Sequence, residues 1–124
     1  MQDDHIPEEL LKKIILKIEV EQNKRLPFEV RGIVISELLI ATTLEILNKE
    51  KSKTLPQNAR HDNLEKTPDG LDKRLKIRMG NDTCRSHIVS DILAEVGIVK
   101  LPKVKNIKTG KLVNGTQLIS DYTW

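Results

Sequence analysis

Residues 81–100, NDTCRSHIVSDILAEVGIVK, set the reading of everything around them. Ile88, Val89, Ile92, Leu93 and Val96 fall at i, i+1, i+4, i+5 and i+8, the spacing of one apolar stripe along a helix. Asn81 or Asp82 is a candidate N-cap, and Gly97 is placed to take the left-handed conformation that ends the helix. Immediately upstream, Asp69 is a candidate cap for a shorter helix with Leu71 and Leu75 on one face and Met79–Gly80 at its exit. Two short helices joined by a tight turn with glycine have the spacing of a helix-turn-helix.

The segment that follows is basic. Lys100, Lys103, Lys105, Lys108 and Lys111 occur with no acid between residues 100 and 119. Ile98 and Val99 read as extended chain, Thr109-Gly110 as a turn, and Leu112-Val113 with Thr116 to Ile119 as a returning strand. Pro102 marks an edge strand or an irregular first arm. Lysines on such an arm neutralise phosphate if the arm meets nucleic acid, and protect an exposed edge from aggregation if it does not.

Upstream, Pro7-Glu8-Glu9 suits a first helical turn, and Leu10, Leu11, Ile14, Ile15 and Ile18 form another single stripe. A second, mostly buried helix is expected from about Pro27 to Lys49. The β-branched run Gly32-Ile33-Val34-Ile35 also fits a strand, but some twenty residues without an evident turn signal favour the helix. Residues 48–70, polar and broken by Pro56, Pro68 and Gly70, are expected to form a mobile insertion, the alternative being a short helix around Asn58 to Lys66.

Composition limits the functions open to this chain. At 124 residues one domain is expected, with a core of Ile, Leu and Val because aromatics make up only 2%. Residues 1–50 carry 7 basic and 10 acidic side chains, a balance of −3, whereas residues 51–124 carry 14 and 8, a balance of +6. The basic half points to a polyanionic partner. With one cysteine, Cys84, no internal disulfide can form, and the acidic start shows no secretory signal; a cytoplasmic, membrane-free setting is expected.

The order Asp82-Thr83-Cys84-Arg85 opening a helix, Gly97-Ile98-Val99 closing it and a basic hairpin returning through Val113-Asn114 resembles the winged-helix N-terminal domain of BsuBI/PstI-class type II restriction endonucleases. The likeness spans roughly residues 28–120 and is specific over residues 82–120. With the helices and arm read above, the expected fold is a mainly α chain with a small β-hairpin, a winged helix-turn-helix with extra N-terminal helices: residues 1–50 a helical platform, 69–96 the helix-turn-helix and 98–120 the wing. The resemblance agrees with that fold over its own span. It also implies recognition of double-stranded DNA beside a nuclease or methyltransferase partner in a restriction-modification system.

If the helix at 81–97 enters a major groove, its side opposite the apolar stripe faces the bases. That side holds Thr83, His87, Ser90 and Ala94, flanked by Ser86 and Asp91, with Arg85 reaching from the first turn. Asp91 repels phosphate unless it is paired. Lys73, Arg74, Lys76 and Arg78 on the preceding helix, with the five lysines of the arm, are the expected phosphate contacts.

Catalysis finds no support. Pro68-Asp69 is present, but no Asp or Glu is followed two residues later by Lys, so the magnesium-binding pattern of a restriction nuclease is missing. Cys84 and His87 supply at most half of a four-ligand zinc site. His61-Asp62 lies in the polar insertion, and no glycine-rich phosphate loop occurs. No enzymatic activity, metal or cofactor is expected. The competing expectation is a helical interaction subunit or homodimer built on the aliphatic N-terminal helices.

Overall fold

The computed structural model describes residues 4–59, 62–106 and 108–124. Helix α1 (Glu8–Gln22) starts behind Pro7 with Glu8 and Glu9 at its positive end, and Asn23 closes it in the left-handed region at φ 53°. Its buried face is Ile14 and Ile18.

The stretch expected to be one helix from Pro27 to Lys49 is instead a hairpin followed by a shorter helix. Strands β1 (Phe28–Val30) and β2 (Ile33–Ile35) pair antiparallel with Val30 opposite Ile33. Arg31 and Gly32 between them stand at φ 49° and 82°, the two successive positive values that a type I′ turn requires. Helix α2 (Glu37–Lys49) begins only where the Ser36 hydroxyl accepts the Leu39 N–H at 3.1 Å. The helical platform expected over residues 1–50 thus contains a two-stranded sheet.

The polar segment 48–70 is likewise more ordered than expected. It contains β3 (Thr54–Pro56), which pairs antiparallel with the last strand, Leu55 opposite Thr116. The Thr67 N–H then returns to the Asn63 carbonyl in a single turn. Helices α3 (Leu71–Met79) and α4 (Ser86–Glu95) follow, and Gly80 at φ 77° ends the first of them.

The basic arm comprises β4 (Val99–Lys100), β5 (Lys103–Lys105) and β6 (Leu112–Leu118). Val99 opposes Leu118 and Lys103 opposes Asn114, so β4 and β5 keep one register against β6. They form one strand interrupted at Leu101-Pro102, where proline has no N–H to give; the Pro102 carbonyl still accepts the Gly115 N–H at 2.8 Å. Sheet order is β3-β6-β4, with β5 on β6 beyond β4.

The expectation of a mainly α chain with a small hairpin, as a winged helix-turn-helix with extra helices, is therefore corrected to a mixed α/β chain. Four α-helices and six strands in two sheets are present among the described residues. The strands that were missed depend on partners distant in sequence or on an unusual turn, neither of which leaves a local period. Helix α2 packs on α3 and β6, and α4 on α2, α3 and β4. Ile14, Ile18, Leu39, Leu44, Leu75, Leu93 and Ile98 meet in the shared core.

Candidate nucleic-acid interface

The junction of α3 and α4 is built on one buried carboxylate. Asp72 Oδ1 accepts the backbone N–H of Arg85 at 2.9 Å and of Ser86 at 3.0 Å, so the cap of α4 comes from α3 and not from Asn81 or Asp82. Its other oxygen lies 2.8 Å from Lys76 Nζ, which also donates to Thr67 Oγ1 at 2.7 Å. Burial pushes the Asp72 carboxyl up, but Lys76 and the two backbone donors outweigh it and hold the group below the usual carboxylate range. Burial lowers the Lys76 ammonium in turn, and Asp72 reverses that.

This arrangement removes several expected contacts. Lys76 is 1% exposed and holds the junction together, so it cannot reach a phosphate. Arg74 is engaged by Glu50 and Asp69, and Arg78 donates to Glu45 on α2 at 3.1 Å. Of the four basic groups on α3, only Lys73 has no ion pair or hydrogen bond among the described residues.

The helix itself is covered on two sides. Ser86 and Ser90, expected to face bases, are both 0% exposed. Ser86 Oγ donates to the Gln57 carbonyl at 3.2 Å, and Ser90 Oγ shares a 2.7 Å hydrogen bond with Thr116 Oγ1 on β6. The polar arc of α4 is thus the seam between helix and sheet. What solvent reaches is His87, Asp91, Ala94 and Glu95. Asp91, which would repel a polyanion if unpaired, sits 3.0 Å from the Arg31 guanidinium at the tip of the β1–β2 turn. Thr83 is exposed ahead of the helix, while the Arg85 guanidinium folds back to Asn81 Oδ1 at 2.7 Å.

His87 and the arm come together. An open groove of about 430 Å³ is lined by Gln57 and Asn58 at the end of β3, His87 at the start of α4, and Lys103, Leu112 and Asn114 on the arm. Lys103 donates to the Asn114 side chain across the β5–β6 pair. Lys105 and Lys108 instead line a second cleft of about 470 Å³, beside Arg74 and its carboxylate partners. Lys100 and Lys111 are exposed.

No local pattern marked Gln57, Asn58 and Asn114 as groove residues: β3 was not expected, and Asn114 was read only as part of the returning strand. Arg31 was placed inside a helix; the adjacent glycine was the available signal for a turn. Cys84 is half-buried, and burial followed by the charge of Asp72 pushes its thiol up, away from nucleophilic use. His61 lies outside the described residues. Among those residues no group of three or more His, Cys, Asp or Glu side chains is arranged to hold a metal ion, and no helix is long and apolar enough to cross a membrane. No protein-family model, curated protein or solved structure matches this chain.

Proposed function

We propose that this chain is a sequence-specific double-stranded DNA-binding module whose contact surface is the groove between the start of α4 and the basic arm. The observation that carries this reading is that His87 and Lys103 line the same groove. Beside them Asn114 is exposed, and its side-chain amide is the type of group that pairs with base edges. Lys100, Lys105, Lys108 and Lys111, all exposed, supply the sequence-independent attraction to phosphate, with Lys73 in support. Thr83 and Arg85 border the same end of α4; Ser86, Ser90 and Lys76 have no part in it. A cytoplasmic setting and a nuclease or methyltransferase partner, as the resemblance to BsuBI/PstI-class endonucleases implies, belong to the same proposal. The chain then contributes recognition and no catalysis.

The test is a mobility-shift titration of random duplex at low and moderate salt. Binding that weakens steeply with salt, and weakens further in Lys103→Ala, supports the reading; no binding at low salt overturns it.

One observation favours the alternative of a homodimer or protein-docking subunit. Leu16 and Val20, one turn apart on α1, are 62% and 69% exposed. Association through such a face is held by apolar burial and responds little to salt.

A further inference from the structure

We infer that the two-stranded end of the arm is the element that enters the duplex, through its major groove, and that Leu112 packs there against the C5 methyl of a thymine; this rests on the duplex-binding reading above. Strand β3 parts from β6 after the Gln57 N–H donates to the Asn114 carbonyl at 2.9 Å, and α4 meets β6 further back, at Ser90 and Thr116. From Asn114 toward the turn, only β5 pairs with β6 among the described residues. Residues opposite each other across such a ribbon share a face, as do alternate positions along each strand. Lys103 opposite Asn114 and Lys105 opposite Leu112 thus form one face, and all four are exposed. Val104 opposite Val113 forms the other face, which is packed: Val113 is buried, and the Val104 methyls lie 2.9 Å from where a Cβ on Gly115 would stand.

Leu112 is 66% exposed and is the one apolar side chain on a face otherwise made of two lysines and an asparagine. Lysines that only guard a strand edge against aggregation work by leaving no apolar group to associate, and a leucine opposite Lys105 and next to Lys111 defeats that purpose. A surface that sits on DNA has a use for it. A two-stranded ribbon fits the major groove, about 12 Å wide, and thymine alone among the four bases presents a methyl group there. Lysines on both strands then meet the phosphates along the groove. Lys103 Nζ donates to Asn114 Oδ1, which leaves the Asn114 amide N–H groups to face acceptors such as thymine O4. Helix α4 is the poorer entrant. Beside His87 its outer side carries Asp91 and Glu95, which are held by Arg31 and Gln22 and still bring carboxylates toward phosphate.

The experiment selects a randomised duplex pool on the full chain at low salt, then replaces each thymine of the enriched site in turn by uracil, which differs only in lacking the methyl. One such replacement is expected to weaken wild-type binding about fourfold, as the burial of one methyl-sized group implies. Leu112→Ala should bind the thymine and uracil duplexes equally well. Leu112→Met, apolar and of similar size, should keep most of the discrimination. Both substitutions alter an exposed position, so the wild-type fold should persist in each. Indifference of the wild type to uracil at every position, or a uracil effect that persists in Leu112→Ala, overturns the inference alone. Absence of binding to every duplex, with or without capture on anionic phosphatidylserine vesicles, overturns it together with the reading beneath it.

Discussion

Asp72 does three things with one carboxylate: it caps α4 from another helix, neutralises a buried lysine and, through Lys76, anchors Thr67. Capping by a charged oxygen at the positive end of a helix combines a hydrogen bond with the attraction of the helix dipole. Removing it leaves Lys76 as an unpaired charge inside the protein. Asp72→Ala is therefore expected to cost about 3–5 kcal/mol in urea denaturation, far more than the loss of an exposed ion pair. The same group predicts a pH dependence. Its folded-state pKa lies below the unfolded value, so its contribution is complete above the ordinary carboxylate range and disappears as pH falls through the lower, folded value. Stability measured between pH 6 and about 2 should decline on the acid side, and Asp72→Asn should start lower with a shallower decline. An unchanged acid limb in that variant would show that other carboxylates set it.

The seam between α4 and β6 decides what this helix can do. Ser90 and Thr116 satisfy each other where no water enters, so Ser90→Ala should leave the Thr116 hydroxyl alone and cost about 1–3 kcal/mol. Thr116→Val added to Ser90→Ala should recover most of that loss, and duplex preference should not change in either variant. A change in preference would put Ser90 back among the reading residues. Helices α1, α3 and α4 were legible because each has an apolar stripe and an identifiable start or stop, and the basic hairpin was legible from its extended runs and Thr109-Gly110. Strand β3 was not, since Thr54-Leu55-Pro56 has no period of its own and takes its form from β6, some sixty residues away. The β1–β2 turn was read past because Gly32 is its one turn signal, and the left-handed arginine before it, unlike asparagine, carries none. A helical wheel of α4 identified one buried side; the second was invisible because it is created by β6 and β3, as Ser86 on Gln57 and Ser90 on Thr116 show.

Across the whole molecule the charges are divided between an acidic N-terminal half and a basic C-terminal one, yet much of the basic charge is already used internally. Arg74, Lys76, Arg78 and Arg31 all have acidic partners inside the chain. The cations left for an external polyanion are concentrated on the arm: Lys100, Lys103, Lys105, Lys108 and Lys111, all exposed. If these five arm lysines each displace one counterion from a duplex, log affinity should fall against log salt with a slope of about −4.5. Each Lys→Ala on the arm should reduce the slope by about one with little effect on stability, because exposed lysines contribute little to folding. Arg74→Ala should leave the slope unchanged while destabilising the fold. The exposed pair on α1 supplies the counter-test. Leu16→Glu with Val20→Glu alters the surface that a salt-insensitive dimer would use, so sedimentation should detect the loss of any dimer while the duplex slope stays at its wild-type value. Should those two substitutions abolish duplex binding as well, recognition would depend on two copies of the chain, and the half-sites of the selected DNA would have to repeat with the spacing that the pair imposes.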